Sequence, residues 1–297
     1  MGTEPELVTI ASDELLATIS SMGAELQSID DAHGNTYLWN GDPAWWSGRA
    51  PILFPIVGAL ANDTHRVGET TYTMTKHGFA RRSRFEVITQ AADRVTFRLT
   101  ESAATLAQYP YRFCLDITFH IEGTTLSTSA IVRNSDSQPI PVSFGFHPAF
   151  LWPLPGAGQS EAQAVTFEYD ETEPASRINA SGLVDRTEPE SRIRDRQLKL
   201  SPDLFDDDAL LYLSPSSRRV WFGAANGQGT HLDVQFPDMP QLGIWTKPGG
   251  APYLCIEPWY GYASPADFAG SLMDKPGTAI LAIGEDKEFA MSVTVVR

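Results

Sequence analysis

Apolar and polar residues alternate along most of this chain with the two-residue period of β-strands. The alternation is most regular from Arg94 to Arg133. There Val95-Thr96-Phe97-Arg98-Leu99, Phe113-Cys114-Leu115-Asp116-Ile117-Thr118-Phe119 and Thr125 to Val132 each put their apolar side chains on one face. The first thirty residues read the same way, with Leu7 to Ile10, Leu15 to Ile19 and Ala24 to Ile29 separated by Ser-Asp and Met-Gly turns. Further strands are predicted at Tyr37 to Trp39, Val165 to Tyr169, Val220 to Gly223, His231 to Phe236, Leu242 to Thr246, Tyr253 to Ile256 and Phe289 to Val296. Such a meander predicts an all-β chain built from antiparallel sheets. Only Ala103 to Tyr109, ended by Pro110, predicts a short helix. Residues 153 to 200 are polar and rich in Pro, Gly, Glu and Arg, and predict long surface loops, with 165 to 169 as the clearest strand. No boundary divides the pattern, so residues 1 to 297 are expected to form one domain.

Composition narrows the choice of partners. The chain has 297 residues, 42% of them hydrophobic, enough for a large core. With 22 basic and 37 acidic residues its net charge is −15, which repels phosphate backbones and anionic lipid, so neither nucleic acid nor membrane is an expected partner. Met1 to Ile10 lacks the basic start and apolar centre of a signal peptide, and no later run is long and apolar enough to span a bilayer. Cys114 and Cys255 lie in apolar runs without metal-site or disulfide spacing. They read as reduced core thiols, and a cytoplasmic location is expected.

A few polar residues stand where polar residues are expensive. Glu257 ends the apolar run Leu254-Cys255-Ile256 and is followed by Pro258, Trp259 and Tyr260. It reads either as a structural ion-pair partner or as a group with chemistry to do. His147 is set among Phe144, Phe146, Phe150 and Trp152, and Pro148 holds its backbone extended; it reads as a buried structural histidine or as a catalyst. Arg49 is the only charge in a run broken by Pro51 and Pro55, which predicts an edge strand or an irregular crossing. His77-Gly78 is loop chemistry, and the neighbouring Arg81, Arg82 and Arg84 form either a solvated turn or an anion site. Asp206, Asp207 and Asp208 precede an apolar strand. Consecutive strand residues face opposite sides, so one inward aspartate binding a polar ligand is a better functional reading than a metal site, with a capped turn as the structural alternative. Glycine-rich phosphate loops, a Gly-x-Ser-x-Gly elbow and zinc-ligand spacings are missing.

Gly48-Arg49, Ala50 to Gly58, His77-Gly78-Phe79-Ala80-Arg81, Phe146-His147-Pro148, Phe205 to Ala209 and Cys255-Ile256-Glu257-Pro258-Trp259 follow one another in the order found in the aldose 1-epimerase (galactose mutarotase-like) family. The chain resembles this family over nearly its whole length, and its bacterial LacX-like branch most closely. The resemblance implies a β-supersandwich of large, mostly antiparallel sheets with a sugar cleft on a curved sheet. It implies that His147 is the general acid on the ring oxygen and Glu257 the general base on the anomeric hydroxyl. Arg49, His77 and Asp208 would bind the sugar, with Asp207 as the alternative to Asp208 because the acid run leaves the register open.

Anomerisation itself supports these roles. Opening a cyclic hemiacetal requires a base at O1 and an acid at the ring oxygen, and no metal or other cofactor. A histidine and an apolar-flanked glutamate with a raised pKa suit that work near neutral pH. Sugars also present apolar faces to aromatic platforms, for which Trp46, Trp152, Trp245, Trp259 and Tyr260 are available, with Trp245 and Trp259 flanking the glutamate strand. The chain departs from the better-known galactose mutarotases. They carry an Asn-Arg pair after the first arginine and a second glycine after His-Gly, where this chain has Pro51 to Pro55 and Phe79. The expected function is therefore mutarotation of a small-molecule hexose by a monomer or homodimer. The alternatives are a hexose-6-phosphate 1-epimerase, motivated by Arg81, Arg82 and Arg84, and a non-catalytic carbohydrate-binding protein on the same scaffold.

Overall fold

The alternating segments pair into two large sheets. The structure is a computed structural model that describes residues 4–297, so the first three residues of the Met1 to Ile10 stretch lie outside it. A nine-stranded sheet runs in the order Gln197–Lys199, Gln163–Phe167, Arg219–Ala224, His231–Gln235, Asp286–Val296, Thr125–Asn134, Phe113–Glu122, Arg94–Thr100, Glu86–Gln90. The second sheet has eight strands. Its main path is Val184–Thr187, Ser176–Ile178, Leu210–Tyr212, Gln241–Trp245, Tyr253–Tyr260, Phe144–Phe146, Ile52–Leu53, with Ala149–Leu151 also paired to Tyr253–Tyr260. A three-stranded sheet of Leu7–Ala11, Leu15–Ser20 and Glu25–Asp31 adds to these. Every ladder between these strands is antiparallel, and the architecture is the all-β supersandwich expected.

Period-two patterning builds the core. Along Phe113–Glu122 buried and half-buried residues alternate, so that Phe113, Leu115, Ile117, Phe119 and Ile121 all face inward. Val95, Phe97, Leu126, Ala130, Val132, Phe289 and Val293 from neighbouring strands join them in one large apolar cluster. Leu254 and Ile256, from the second sheet, belong to the same cluster.

The structure corrects three local expectations. The helix covers only Ala103–Leu106, because Ser102 and Thr105 close a capping box and the turn then unwinds before Pro110. Residues 153 to 200 hold four short strands, Gln163–Phe167, Ser176–Ile178, Val184–Thr187 and Gln197–Lys199, rather than one clear strand among loops. Their polar composition hides them because buried Arg177 is paired with Glu188 at 2.7 Å inside that region. The three aspartates occupy a turn after the short 3-10 helix Pro202–Phe205, and the strand begins only at Leu210. Strand alternation therefore does not decide which of them faces inward.

The proline-broken run behaves as the ladder rule requires. Ile52–Leu53 is an edge strand of two residues paired to Phe144–Phe146, and the chain beyond it crosses irregularly. The crossing packs against the His77-Gly78 turn, where both residues have φ of +69°. A Cβ on Gly78 would lie 2.2 Å from the Phe54 carbonyl oxygen, so glycine is needed there for space as well as for backbone conformation. Gly78→Ala is expected to destabilise the fold by about 3 kcal/mol. Urea unfolding measures this, and a variant as stable as the parent would show that the crossing relaxes without cost.

Candidate active site

The strand Tyr253–Tyr260 lies inside its sheet and is buried on both faces. Alternation sends Leu254 and Ile256 into the large core and Tyr253, Cys255, Glu257 and Trp259 to the other side. The partner chain segment is interrupted. Phe144–Phe146 pairs Gly145 with Trp259, and Ala149–Leu151 pairs Ala149 with Cys255. His147 sits between the two, and the constant register puts it directly opposite Glu257. Opposed residues in an antiparallel pair bring their side chains together on one face. His147 Nε2 lies 3.1 Å from Glu257 Oε2.

Both groups are nearly inaccessible, at 7% and 2% exposure. Burial pushes the His147 imidazole down to about 3, and the positive charges of Lys76 and Arg81 act in the same direction, while contact with the residue's own backbone opposes them. Burial raises the Glu257 carboxyl well above its ordinary range. Lys76 opposes that rise and Asp208 adds to it. The Trp259 indole also favours the carboxylate, although its Nε1 makes no hydrogen bond of normal geometry. Burial thus drives both members of the pair towards their neutral forms.

The pair sits in a cleft of about 200 Å³. At ~30 Å³ per water this is room for a handful of waters, the scale of one sugar ring rather than of a polymer. Trp46 packs its ring 5.0 Å from the His147 ring, and Trp245 meets both edge-on, at 5.7 Å from Trp46 and 6.0 Å from His147. The Trp46 carbonyl accepts the Trp39 indole N–H at 2.8 Å, which ties the tryptophan loop down. Trp259 lies across two glycines on the flanking strands. A Cβ on Gly243 would come within 2.4 Å of its ring, and one on Gly145 within 2.6 Å. Leu53, Val57, Ala209 and Leu211 pack around it.

His77 joins from the turn described above. Its Nδ1 accepts the Gly58 N–H at 3.1 Å, which leaves Nε2 as the protonated nitrogen of a neutral ring. Burial, then the charge of Lys76, holds it well below the ordinary histidine value, and its ring stands 5.8 Å from that of His147. Asp208 lines the cleft in a left-handed conformation, with Oδ1 accepting the Ala209 N–H at 2.7 Å. Asp207 points elsewhere and pairs with Arg186 at 3.0 Å. The turn is clamped by Arg177, which donates to the carbonyls of Asp208 and Leu204 at 2.6 and 3.0 Å.

Of the residues singled out in the sequence, the cleft thus gathers His77, His147, Asp208, Trp245, Glu257 and Trp259. Arg49 is not among the lining residues. Its guanidinium donates to the Gln27 carbonyl at 2.8 Å and its backbone N–H to Glu25 Oε1 at 2.9 Å, so it ties the N-terminal sheet to the cleft segment. Trp152 and Tyr260 lie elsewhere, against Phe205 and Phe289 respectively. In the arginine cluster only Arg81 reaches the cleft, beside Lys76. Arg82 donates to Thr75 and Arg84 to the Glu4 carbonyl. Lys76 and Arg177 were not legible in the sequence. Lys76 had no signal beyond its place next to His77, and Arg177 lay in a stretch read as surface loop.

An antiparallel β-supersandwich with a histidine–glutamate pair at the floor of an aromatic-walled cleft is galactose mutarotase-like. The chain belongs to the aldose 1-epimerase family, whose sequence model matches residues 6–279. Protein LacX (plasmid) of Lactococcus lactis subsp. lactis is 31% identical over 292 residues, 95% of this chain and 97% of its own length. The crystal structure of a galactose mutarotase related enzyme from Lactobacillus acidophilus superposes with a TM-score of 0.92 at 30% identity, covering 98% of both chains. A galactose mutarotase-like protein from Lactobacillus casei gives 0.90 at 29% identity, over 98% of this chain and 100% of its own.

The raised Glu257 carboxyl carries a stability prediction. Its contribution is complete below the ordinary glutamate value of ~4.5 and is lost as pH rises towards the folded value, because the unfolded chain releases a proton that the folded chain retains. Glutamine keeps the shape and a donor for His147 but does not titrate. Glu257→Gln is therefore expected to unfold at a higher temperature than the parent, with the gap widening as pH rises above the ordinary glutamate value of ~4.5. Parallel melting curves above that value would contradict the assigned shift.

Proposed function

We propose that this protein is an aldose 1-epimerase that interconverts the α and β anomers of a hexose by acid–base ring opening. The observation that carries the reading is the buried His147–Glu257 contact of 3.1 Å inside a cleft of monosaccharide size. A sugar entering the cleft replaces that contact with two of its own, and the proton of the pair passes from Glu257 to His147 Nε2, so that O1–H faces the Glu257 carboxylate and Nε2–H the ring oxygen. Glu257 takes the O1 proton as His147 delivers one to the ring oxygen, and the bond from C1 to that oxygen breaks. Rotation about the bond from C1 to C2 presents the other carbonyl face. His147 then takes the proton back from the new hydroxyl as it attacks C1, and Glu257 returns one to O1. The pair holds one proton at the start and one at the end, so the cycle needs no external acid or base.

The other cleft residues bind and orient. Neutral His77 offers an Nε2–H to a sugar oxygen, and Asp208 offers a carboxylate oxygen to a hydroxyl. Trp46, Trp245 and Trp259 give apolar faces for the sugar's C–H groups and keep bulk water from the pair.

His147→Ala and Glu257→Ala are each expected to lower kcat by roughly 10²–10⁴-fold with smaller changes in KM, read by polarimetry or exchange NMR on freshly dissolved α-anomers. Because the His147 ring is held down to about 3, kcat/KM is expected to stay level through the ordinary histidine value of ~6.5, to fall in more acid solution, and to fall in base once Glu257 loses its proton above its raised value. Unaffected variants would remove the mechanism. Sugar binding without faster anomer exchange would leave a carbohydrate-binding protein instead.

A hexose-6-phosphate substrate is favoured by one observation, the presence of Lys76 and Arg81 together on the cleft wall. Arg81 Nε is buried with no hydrogen-bond partner among the described residues, which leaves a donor for an anionic oxygen. Under this reading Arg81→Glu raises KM for the phosphorylated sugar at least ~10-fold and spares the free hexose. Equal turnover of the phosphorylated sugar by variant and parent would exclude it.

A further inference from the structure

Cys255 has no part in the reaction, yet it stands two positions from Glu257 on the cleft side of the same strand. Its flanking cross-strand partners are Ala149 and Trp245, and Ala149 is too small to separate it from His147. One ligand atom each from His147, Cys255 and Glu257 lies within 4.8 Å of the others, and all three residues are buried. An imidazole, a thiol and a carboxyl are the donor types that Zn²⁺ prefers, in a tetrahedron with bonds of about 2.0–2.3 Å. Ligand atoms around such an ion are separated by less than 4 Å, so side-chain adjustments of about an ångström suffice. His147 and Glu257 line the cleft, so water or a sugar hydroxyl from it could complete the coordination.

We propose that His147, Cys255 and Glu257 form a Zn²⁺ site that is mutually exclusive with the catalytic state of the acid–base pair. Binding breaks the hydrogen bond between Glu257 and His147, releases their shared proton and the thiol proton to solvent, and forms bonds from zinc to nitrogen, sulfur and oxygen. The ion then occupies the groups that would serve O1 and the ring oxygen, so zinc inhibits anomerisation. The inhibition rests on the proposed roles of His147 and Glu257; the binding does not. Lys76 and Arg81 on the cleft wall oppose a cation and set the affinity below that of a dedicated structural site.

Calorimetry with ZnCl₂ on the intact, EDTA-treated protein is expected to show one ion bound at micromolar concentration, with about two protons released. The EDTA-treated protein retains full anomer exchange, zinc suppresses it, and EDTA restores it. Co²⁺ in the same site gives a thiolate-to-metal charge-transfer band that Cys255→Ser lacks. Cys255→Ala weakens zinc binding at least ~10-fold while its exchange rate without metal stays within about twofold of the parent. Melting curves establish that both variants are folded. The proposal is overturned if no single-ion binding occurs below about 1 mM, or if Cys255→Ala binds zinc as tightly as the parent. Zinc bound through Cys255 without inhibition would uphold the site and refute the catalytic roles of the pair.

Discussion

Everything at the cleft depends on the antiparallel register that sets His147 opposite Glu257. Gly145 pairs with Trp259 on one side of that point and Ala149 with Cys255 on the other. A slip of one residue would turn Glu257 into the large apolar core and bring Leu254 and Ile256 out to the cleft. Burying an unpaired carboxyl there is heavily unfavourable, so the same residues that make the site also lock the strand. On the far side of the strand Gly243 lies opposite Glu257 and leaves room for the Trp259 ring.

The pair tolerates burial because both groups are driven towards their neutral forms. Burial lowers the imidazole and raises the carboxyl. His147 Nε2 and Glu257 Oε2 stand 3.1 Å apart, within reach of proton transfer. Trp46 and Trp245 maintain the condition by covering the histidine ring. The periphery is charged: Lys76 and Arg81 stand on the wall opposite in sign to Asp208. The cleft therefore combines a floor driven towards neutrality with a charged rim.

Much of this was legible in the chain. Period-two alternation marks the strands of both sheets, and Glu257 and His147 announce themselves as polar groups in apolar surroundings. Reasoning from pattern failed where polar residues are buried in pairs or where the backbone leaves the regular conformations. Ser176–Ile178 was missed because its buried arginine is neutralised by Glu188 from the neighbouring chain segment. The choice between Asp207 and Asp208 was open because they lie in a turn, with Asp208 at a φ of +69° held by a carbonyl contact to Arg177. Arg49 drew attention as a lone charge among aromatics, yet its guanidinium meets a backbone carbonyl from the first sheet.

The sequence by itself determined the all-β class, the two polar residues around which the site forms, and the aromatic character of its walls. These follow from local periodicity and from the unfavourable free energy of placing ionisable groups in apolar runs. Only the tertiary structure decided that His147 and Glu257 meet at 3.1 Å, that Cys255 stands beside them, that Asp208 rather than Asp207 faces the cleft, and that Arg81 enters it while Arg82 and Arg84 do not. Each of those depends on the register between segments about a hundred residues apart or on a single backbone angle in a turn, and neither is encoded in the periodicity of one segment.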